Sequence, residues 1–158
     1  MNNIYWNEQL IRKYDLQGPR YTSYPTAVEF SGDFPVATVQ QAARLSQPSQ
    51  RPLSLYFHIP FCARLCYYCA CNKIVTKRRE KAQPYLELMY REMAMQAELF
   101  GKNRRVEQLH WGGGTPTFLS PQQMRELMAK TRELFQLRED DGGDYSIEID
   151  PREADEDI

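Results

Sequence analysis

The chain of 158 residues carries 20 Lys and Arg against 21 Asp and Glu, a formal net charge of −1, and 42% of its residues are hydrophobic. This composition is typical of a globular protein, and the balanced charge excludes bulk electrostatic attraction to nucleic acid or to an anionic membrane. No apolar run reaches the ~20 residues that span a bilayer, and the polar, aromatic N-terminus lacks the pattern of a secretory signal. We therefore expect a cytoplasmic protein that neither inserts into a membrane nor binds nucleic acid.

Residues 1–52 are predicted to form an N-terminal arm and linker. Two short helices are predicted, over residues 4–14 and 36–45. Between them, residues 18–26 contain two prolines and a glycine, which predict an extended segment because both residue types interrupt helices.

Residues 53–158 alternate between the patterns of strands and helices. Strands are predicted over 53–59, 106–111 and 145–149, and helices over 80–100 and 120–135. Apolar residues at near-helical spacing in the first of these helices are Tyr85, Leu88, Met89, Met95 and Leu99. The second helix carries a capping box, with Ser120 as the N-cap and Gln123 as its partner. Alternating strands and helices predict a parallel α/β sheet with crossover helices.

All four cysteines lie within ten residues, at Cys62, Cys66, Cys69 and Cys71. A disulfide framework would scatter them along the chain, so the crowding favours a metal or cluster site in a reducing compartment. Three thiolates from one loop, Cys62, Cys66 and Cys69, are enough to hold a [4Fe–4S] cluster and to leave its fourth iron open. The alternative is a zinc site that uses all four cysteines.

Two further features follow predicted strands. The run 112–116, Gly-Gly-Gly-Thr-Pro, lacks the spacing of a dinucleotide fingerprint and the Lys of a P-loop, so phosphate binding is disfavoured. Its glycines allow either close approach of a zwitterionic ligand or a strained turn with positive φ. Glu148 is either a ligand contact or a solvated side chain, and His58 and His110 fit packing as well as chemistry. Carboxyl ends of parallel strands share one edge, where we expect the cysteines, the glycines and Glu148 to meet.

Together these motifs resemble the radical S-adenosylmethionine enzymes. Within that superfamily they are similar to the oxygen-independent coproporphyrinogen III oxidases (dehydrogenases). The segments that carry the likeness are residues 56–62, Cys71, residues 109–117, residues 146–153 and the arm at residues 18–26. The resemblance implies a partial TIM-like barrel, of which residues 53–158 form the first, incomplete part.

The same resemblance implies roles for individual residues. It implies that Cys62, Cys66 and Cys69 hold the [4Fe–4S] cluster and that Cys71 is not a ligand. Positions that match contacts to S-adenosylmethionine are Tyr56, Gly113 and Glu148 for the molecule at the open iron, and Tyr68, Gly114 and Thr115 for a second molecule. No catalytic side chain is implied, because the cofactors carry the chemistry.

The implied reaction is the oxidative decarboxylation of coproporphyrinogen III to protoporphyrinogen IX through a 5′-deoxyadenosyl radical, a step of haem biosynthesis. It requires an electron donor and an electron acceptor that the sequence does not identify. The alternatives are a related haem chaperone and a zinc-binding interaction module. Because a complete TIM barrel takes ~250 residues, we expect this chain to be an N-terminal fragment that lacks activity by itself.

Overall fold

The computed structural model describes residues 6–15, 25–140, 142–152 and 154. It contains two compact units, Met1–Pro35 and Val36–Ile158. In the first unit, α1 spans Glu8–Tyr14 and a 3₁₀ turn spans Ala27–Glu29.

Helix α1 is shorter than the predicted helix over residues 4–14. It begins after Asn7, whose side-chain oxygen accepts a hydrogen bond from the backbone N–H of Leu10 at 3.0 Å. Asparagine is a strong N-cap, so it sets the start of the helix. Residues 1–5 lie outside the described part of the chain, and so does most of the predicted extended segment, at residues 16–24.

The second unit is built on a parallel sheet. Its strands are β1 (Leu53–Ile59), β4 (Arg105–Gly113), β5 (Gln136–Leu137) and β6 (Asp144–Ile147). Strand β4 pairs with β1 on one side and with β5 and β6 on the other, always in parallel. The register places Leu55 opposite Leu109, and Leu109 opposite Tyr145. The carboxyl ends of β1, β4 and β6 therefore share one edge.

Within its described residues, this unit has three α-helices: α2 (Val36–Ser46), α3 (Ala82–Phe100) and α4 (Pro121–Leu134). The predicted capping box is present, because Ser120 Oγ accepts from Gln123 N–H and the Gln123 side chain accepts from Ser120 N–H. The buried core combines the sheet with α3 and α4, through Phe57, Ile59, Leu86, Met93, Val106, Leu109, Trp111 and Leu127. On α3, the predicted apolar residues Leu88 and Met95 are exposed instead.

Strand β5 was not predicted, nor were two further features of the strands. Strand β4 continues through Gly112 and Gly113, because its pairing with β1 persists to the end of that strand. In addition, two short parallel strands, β2 (Phe61–Cys62) and β3 (Ile74–Val75), join the two ends of the cysteine loop. Within the described residues, no helix is both long enough and apolar enough to cross a bilayer.

Candidate functional site

A cleft of about 750 Å³ opens where β1, β4 and β6 end. Predicted site residues that line it are Cys62, Cys66, Cys69, Tyr68, Gly113, Gly114, Thr115 and Glu148, together with Cys71. Tyr56, the remaining predicted site residue, lines a neighbouring hollow with His58 and Tyr85. The parallel topology thus brings together residues that are up to 86 positions apart in sequence (62 to 148).

The cysteine loop is held at both ends by backbone hydrogen bonds. Ile74 N–H donates to the Pro60 carbonyl at 2.7 Å, and Thr76 N–H donates to the Cys62 carbonyl at 2.9 Å. The Lys73 ammonium group donates to the carbonyl of Cys69 at 3.1 Å. The base of the loop is therefore fixed by the sheet.

The four thiols have different environments. Cys62 is buried, and this burial raises the pKa of its thiol, while a hydrogen bond from the Thr115 hydroxyl at 3.8 Å lowers it. Cys71 is exposed. Hydrogen bonds from the backbone and the thiol of Cys71 lower the pKa of Cys69, and the same thiol–thiol contact raises the pKa of Cys71. This contact therefore makes Cys69 the more acidic thiol of the pair, with Cys71 as its hydrogen-bond donor.

The donor set fits a cluster by its chemistry. Among the described residues, no three His, Cys, Asp or Glu side chains are gathered to hold a single metal ion. Cys62, Cys66 and Cys69 all line one cleft, and thiolates are the usual ligands of an iron–sulfur cluster.

Neighbouring residues of the fold leave no room for a side chain at Gly113 or Gly114. Gly113 has φ +114°, and a Cβ there would lie 2.5 Å from the His58 ring. A Cβ on Gly114 would lie 2.6 Å from the carbonyl oxygen of Phe61. Gly113 therefore has the positive φ that the second alternative predicted, although it lies in β4 and not in a turn, and Gly114 closely approaches the backbone of this chain.

Glu148 is tied to the glycine run and is not simply solvated. Its Oε2 accepts a hydrogen bond from Gly113 N–H at 2.9 Å, and its own N–H donates to the Trp111 carbonyl at 2.9 Å. Its Oε1 lies 3.7 Å from His110 Nε2, and His110 Nδ1 lies 2.8 Å from the Ser146 hydroxyl. One carboxylate oxygen is thus held by the backbone, while the side chain still lines the cleft.

Tyr56 and His58 connect β1 to the cysteine loop. His58 Nε2 lies 2.8 Å from the Asn72 carbonyl, which can only accept, so Nε2 carries the proton. His58 Nδ1 therefore accepts from the Tyr56 hydroxyl at 3.0 Å. The Tyr56 ring stacks on His110 with centroids 5.7 Å apart, and burial, with the nearby Glu148, raises the pKa of Tyr56. Both histidines thus act here as structural hydrogen-bonding groups.

Sequence reasoning missed several residues of the cleft, among them Asp150 and Arg152. These two follow β6 and line the same cleft as the cysteines. The signal available in the sequence was the Asp-Pro-Arg run directly after a predicted strand. Lys73 was missed as well, because nothing in its local sequence indicates that its ammonium group hydrogen-bonds the Cys69 carbonyl.

Comparison with known proteins connects this geometry to named relatives. A sequence model of the radical SAM superfamily matches residues 56–158. Proteins named oxygen-independent coproporphyrinogen III oxidase are 56% identical over 155 residues in Pseudomonas aeruginosa and 51% identical over 158 residues in Escherichia coli K12. These matches cover 98% and 100% of this chain but 34% of each relative. The chain thus spans about a third of the length of these two relatives.

A relative from Mannheimia haemolytica with the same name is 48% identical and covers 96% of this chain, and the match spans 100% of that relative. Among solved structures, the coproporphyrinogen III oxidase of Escherichia coli, described as a radical SAM enzyme, matches with a TM-score of 0.79 at 50% identity. That match covers 96% of this chain and 32% of the solved one. The predicted fold class, parallel strands with crossover helices from a radical SAM fold, is confirmed. The chain belongs to the radical SAM superfamily and, within it, to the family of the oxygen-independent coproporphyrinogen III oxidases.

Proposed function

We propose that the protein acts in the oxygen-independent oxidative decarboxylation of coproporphyrinogen III to protoporphyrinogen IX, a step of haem biosynthesis in the cytoplasm. In this proposal, residues 53–158 supply the cofactor-binding edge of an incomplete barrel and residues 1–52 precede it as an arm. The observation that carries the proposal is the single cleft that combines Cys62, Cys66 and Cys69 with Gly113 and Glu148.

Membership of the superfamily gives the chain its cofactors, a [4Fe–4S] cluster and S-adenosylmethionine. When bound, they supply radical chemistry that protein side chains cannot provide. We assign Cys62, Cys66 and Cys69 as the cluster ligands. Cys71 serves as a hydrogen-bond donor to Cys69 and is not a ligand, which is consistent with its exposure and its thiol contact.

The hydrogen bonds of the glycine run support S-adenosylmethionine as its ligand and argue against a phosphate. The backbone N–H groups of Gly113, Gly114 and Thr115 donate to the Glu148 carboxylate and to the carbonyls of Ile59 and Phe61, at 2.9, 2.8 and 2.8 Å. These N–H groups already donate to acceptors within the protein, so they cannot bind a phosphate as the N–H groups of a P-loop do. The Glu148 carboxylate, which also lines the cleft, suits the ammonium group of an amino acid instead.

We assign Tyr56, Gly113 and Glu148 to the S-adenosylmethionine at the cluster, and Tyr68, Gly114 and Thr115 to a second molecule. The ring of Tyr68 is 92% exposed and lines the cleft, so it is available to a ligand. Tyr56 is linked to this cleft through the stacking of its ring on His110, which faces Glu148. The task of the chain is to orient the cofactors and to keep them from side reactions.

The partners in this proposal are coproporphyrinogen III and a separate electron donor and acceptor. The names of the relatives support the tetrapyrrole as the substrate. The donor and the acceptor follow from the electron balance of an oxidative decarboxylation. The expectation that neither nucleic acid nor membrane is a partner stays a prediction.

Anaerobic reconstitution with iron and sulfide tests the assignment of the cluster. The wild-type protein should take up about four irons and turn brown. Cys62→Ser, Cys66→Ser and Cys69→Ser should each abolish the colour, whereas Cys71→Ser, the matched control from the same loop, should keep it. Stoichiometric zinc with four equivalent cysteines would overturn the proposal in favour of a zinc module. A Soret band after haem addition, without turnover of porphyrinogen, would favour a chaperone instead.

A further inference from the structure

His110 lies in the middle of a row of polar side chains on the sheet. The parallel register places Tyr56 of β1 opposite His110 of β4, and His110 opposite Ser146 of β6. Successive side chains along a strand point to opposite faces, and the adjacent Leu109 belongs to the core that α3 and α4 cover. The row of polar side chains therefore lies on the other face of the sheet, away from this core.

Contacts on several sides fix the imidazole of His110. Its ring stacks on Tyr56 with centroids 5.7 Å apart and planes inclined by 14°. Nδ1 lies 2.8 Å from the Ser146 hydroxyl, and Nε2 lies 3.7 Å from Oε1 of Glu148. The missing side chain of Gly112 gives the ring its space, because a Cβ there would lie 2.7 Å from His110 Nε2. The ring therefore leans along β4 towards the edge where the cleft opens.

These contacts determine which ring nitrogen carries the proton. A carboxylate oxygen only accepts hydrogen bonds, and it repels the lone pair of an unprotonated nitrogen. The contact with Glu148 therefore selects the tautomer with the proton on Nε2, and Nδ1 accepts from the Ser146 hydroxyl. His110 thus directs an N–H group at one oxygen of the carboxylate, while Gly113 N–H donates to the other at 2.9 Å.

Glu148 is held from two sides and can still accept further hydrogen bonds. A carboxylate offers about four acceptor sites, of which the N–H group of Gly113 uses one. The side chain of Glu148 lines the cleft, so a ligand can reach the remaining sites. A side chain that is oriented before the ligand arrives loses less conformational entropy on binding, and this raises the affinity.

We propose that His110 is a positioning residue for S-adenosylmethionine, which holds the Glu148 carboxylate and the ring of Tyr56 in the arrangement that receives the ammonium group of this ligand. The inference rests on the proposed function, because Tyr56 and Glu148 are assigned to that ligand there. His110 acts through these two side chains and does not itself contact the cluster.

Two substitutions separate the contacts of His110. In His110→Gln, the amide nitrogen can take the place of Nε2 and keep a donor beside Glu148. In His110→Asn, the shorter side chain reaches only the place of Nδ1. The contact with Ser146 can then persist, but the donor beside Glu148 is lost.

The chain offers a matched control in Gln108. This residue lies two positions before His110 on the same face of β4, opposite Asp144 of β6. Its side chain donates to the Asp144 carboxylate at 3.4 Å. Gln108→Leu therefore breaks a similar link between the same two strands without touching Glu148.

The test measures ligand binding in the longest natural reading frame that contains the chain. Each protein is reconstituted anaerobically, assayed for iron and dialysed to equilibrium without a reductant, so that the ligand is not cleaved. The probes are S-adenosylmethionine and its analogue without the α-amino group. We expect His110→Asn to raise one dissociation constant for S-adenosylmethionine about tenfold and to leave binding of the analogue unchanged. His110→Gln should stay within about threefold of wild type, and Gln108→Leu should equal wild type.

Several results would overturn the inference. If His110→Asn weakened both probes by the same factor, the effect would be structural and unrelated to the ammonium group. Unchanged binding in His110→Asn, loss of iron from that variant alone, or an equal loss of affinity in His110→Gln or Gln108→Leu would also contradict it. A wild-type protein that holds its cluster but binds S-adenosylmethionine no better than the analogue would instead refute the proposed role of Glu148, and the wild-type measurement separates that outcome from the others.

Discussion

Replacing Gly114 with alanine should separate the glycine run from the end of β1. A Cβ at this position would lie 2.6 Å from the carbonyl oxygen of Phe61 and 2.8 Å from the carbonyl carbon of Pro60. Both obstacles are backbone atoms, which cannot rotate away as a side chain can. The same two segments are joined by hydrogen bonds from Gly114 N–H to Ile59 and from Thr115 N–H to Phe61, each 2.8 Å long. The methyl group therefore strains the contact that aligns the glycines with the cysteines.

The magnitude follows from these contacts. Forcing an extra methyl group into a packed site costs about 1–3 kcal/mol, and each weakened hydrogen bond adds up to about 1 kcal/mol. We therefore expect Gly114→Ala to lower the free energy of unfolding by about 2–4 kcal/mol, out of the ~5–15 kcal/mol that a domain of this kind has. For a chain of this length, that corresponds to a fall in Tm of about 5–15 °C.

Thermal unfolding followed by circular dichroism measures this fall. The control is Gly32→Ala, because a Cβ at Gly32 would have no atom within 4 Å and its backbone is not in the left-handed region. Gly32→Ala should leave Tm unchanged or raise it slightly, since alanine restricts the unfolded chain. If the Tm values of the two variants agree within about 1 °C, the argument that the backbone of Pro60 and Phe61 excludes a side chain at Gly114 is wrong.

Three further predictions concern stability. Ser120→Ala removes the N-cap of α4 and should cost about 1 kcal/mol in urea unfolding. Arg104→Met should cost about 2–3 kcal/mol by the same measurement, because Arg104 is 6% exposed and its guanidinium donates to the Arg51 carbonyl at 2.8 Å. The hydrogen bond from Arg138 lowers the pKa of Asp140 to about 2. That pair therefore stabilises the fold above the unfolded-state pKa of about 4, and its contribution is lost as the pH falls towards 2. Asp140→Asn should accordingly lower Tm at pH 7, and the difference from wild type should shrink steadily between pH 5 and pH 2.

The elements with strong local signals could be predicted from the sequence. Strand β1 has the predicted bounds because its apolar run stops at Pro60, and α4 begins at the predicted cap, Ser120. Strands β3 and β5 have two residues each, too few for any period to be visible. On α3, Leu88 and Met95 were expected with the apolar set but are exposed, because apolar residues occur all round this helix and only tertiary packing selects the buried face.

The location of the site could be predicted from the sequence, but the contacts between its residues could not. The cysteines, the glycines and Glu148 could be placed together because parallel strands end at a common edge. The obstacle that requires glycine at position 113 is the ring of His58, which lies 55 residues earlier in the sequence. The hydrogen bond from Gly113 N–H to Glu148 Oε2 likewise joins residues that are 35 positions apart. Contacts of this kind depend on register and side-chain direction, which no local pattern contains.

The closed base of the cysteine loop affects the order in which the site is assembled. Bringing the ends of a flexible loop together has an entropic cost, and here that cost is met when Ile74 and Thr76 bond to Pro60 and Cys62 during folding of the chain. The cost of closing the loop is therefore not part of the free energy of cluster binding, and Cys71 at the tip of the loop is already exposed. In the metal-free protein, the amides at the base should be protected from hydrogen exchange, while those at the tip exchange fast.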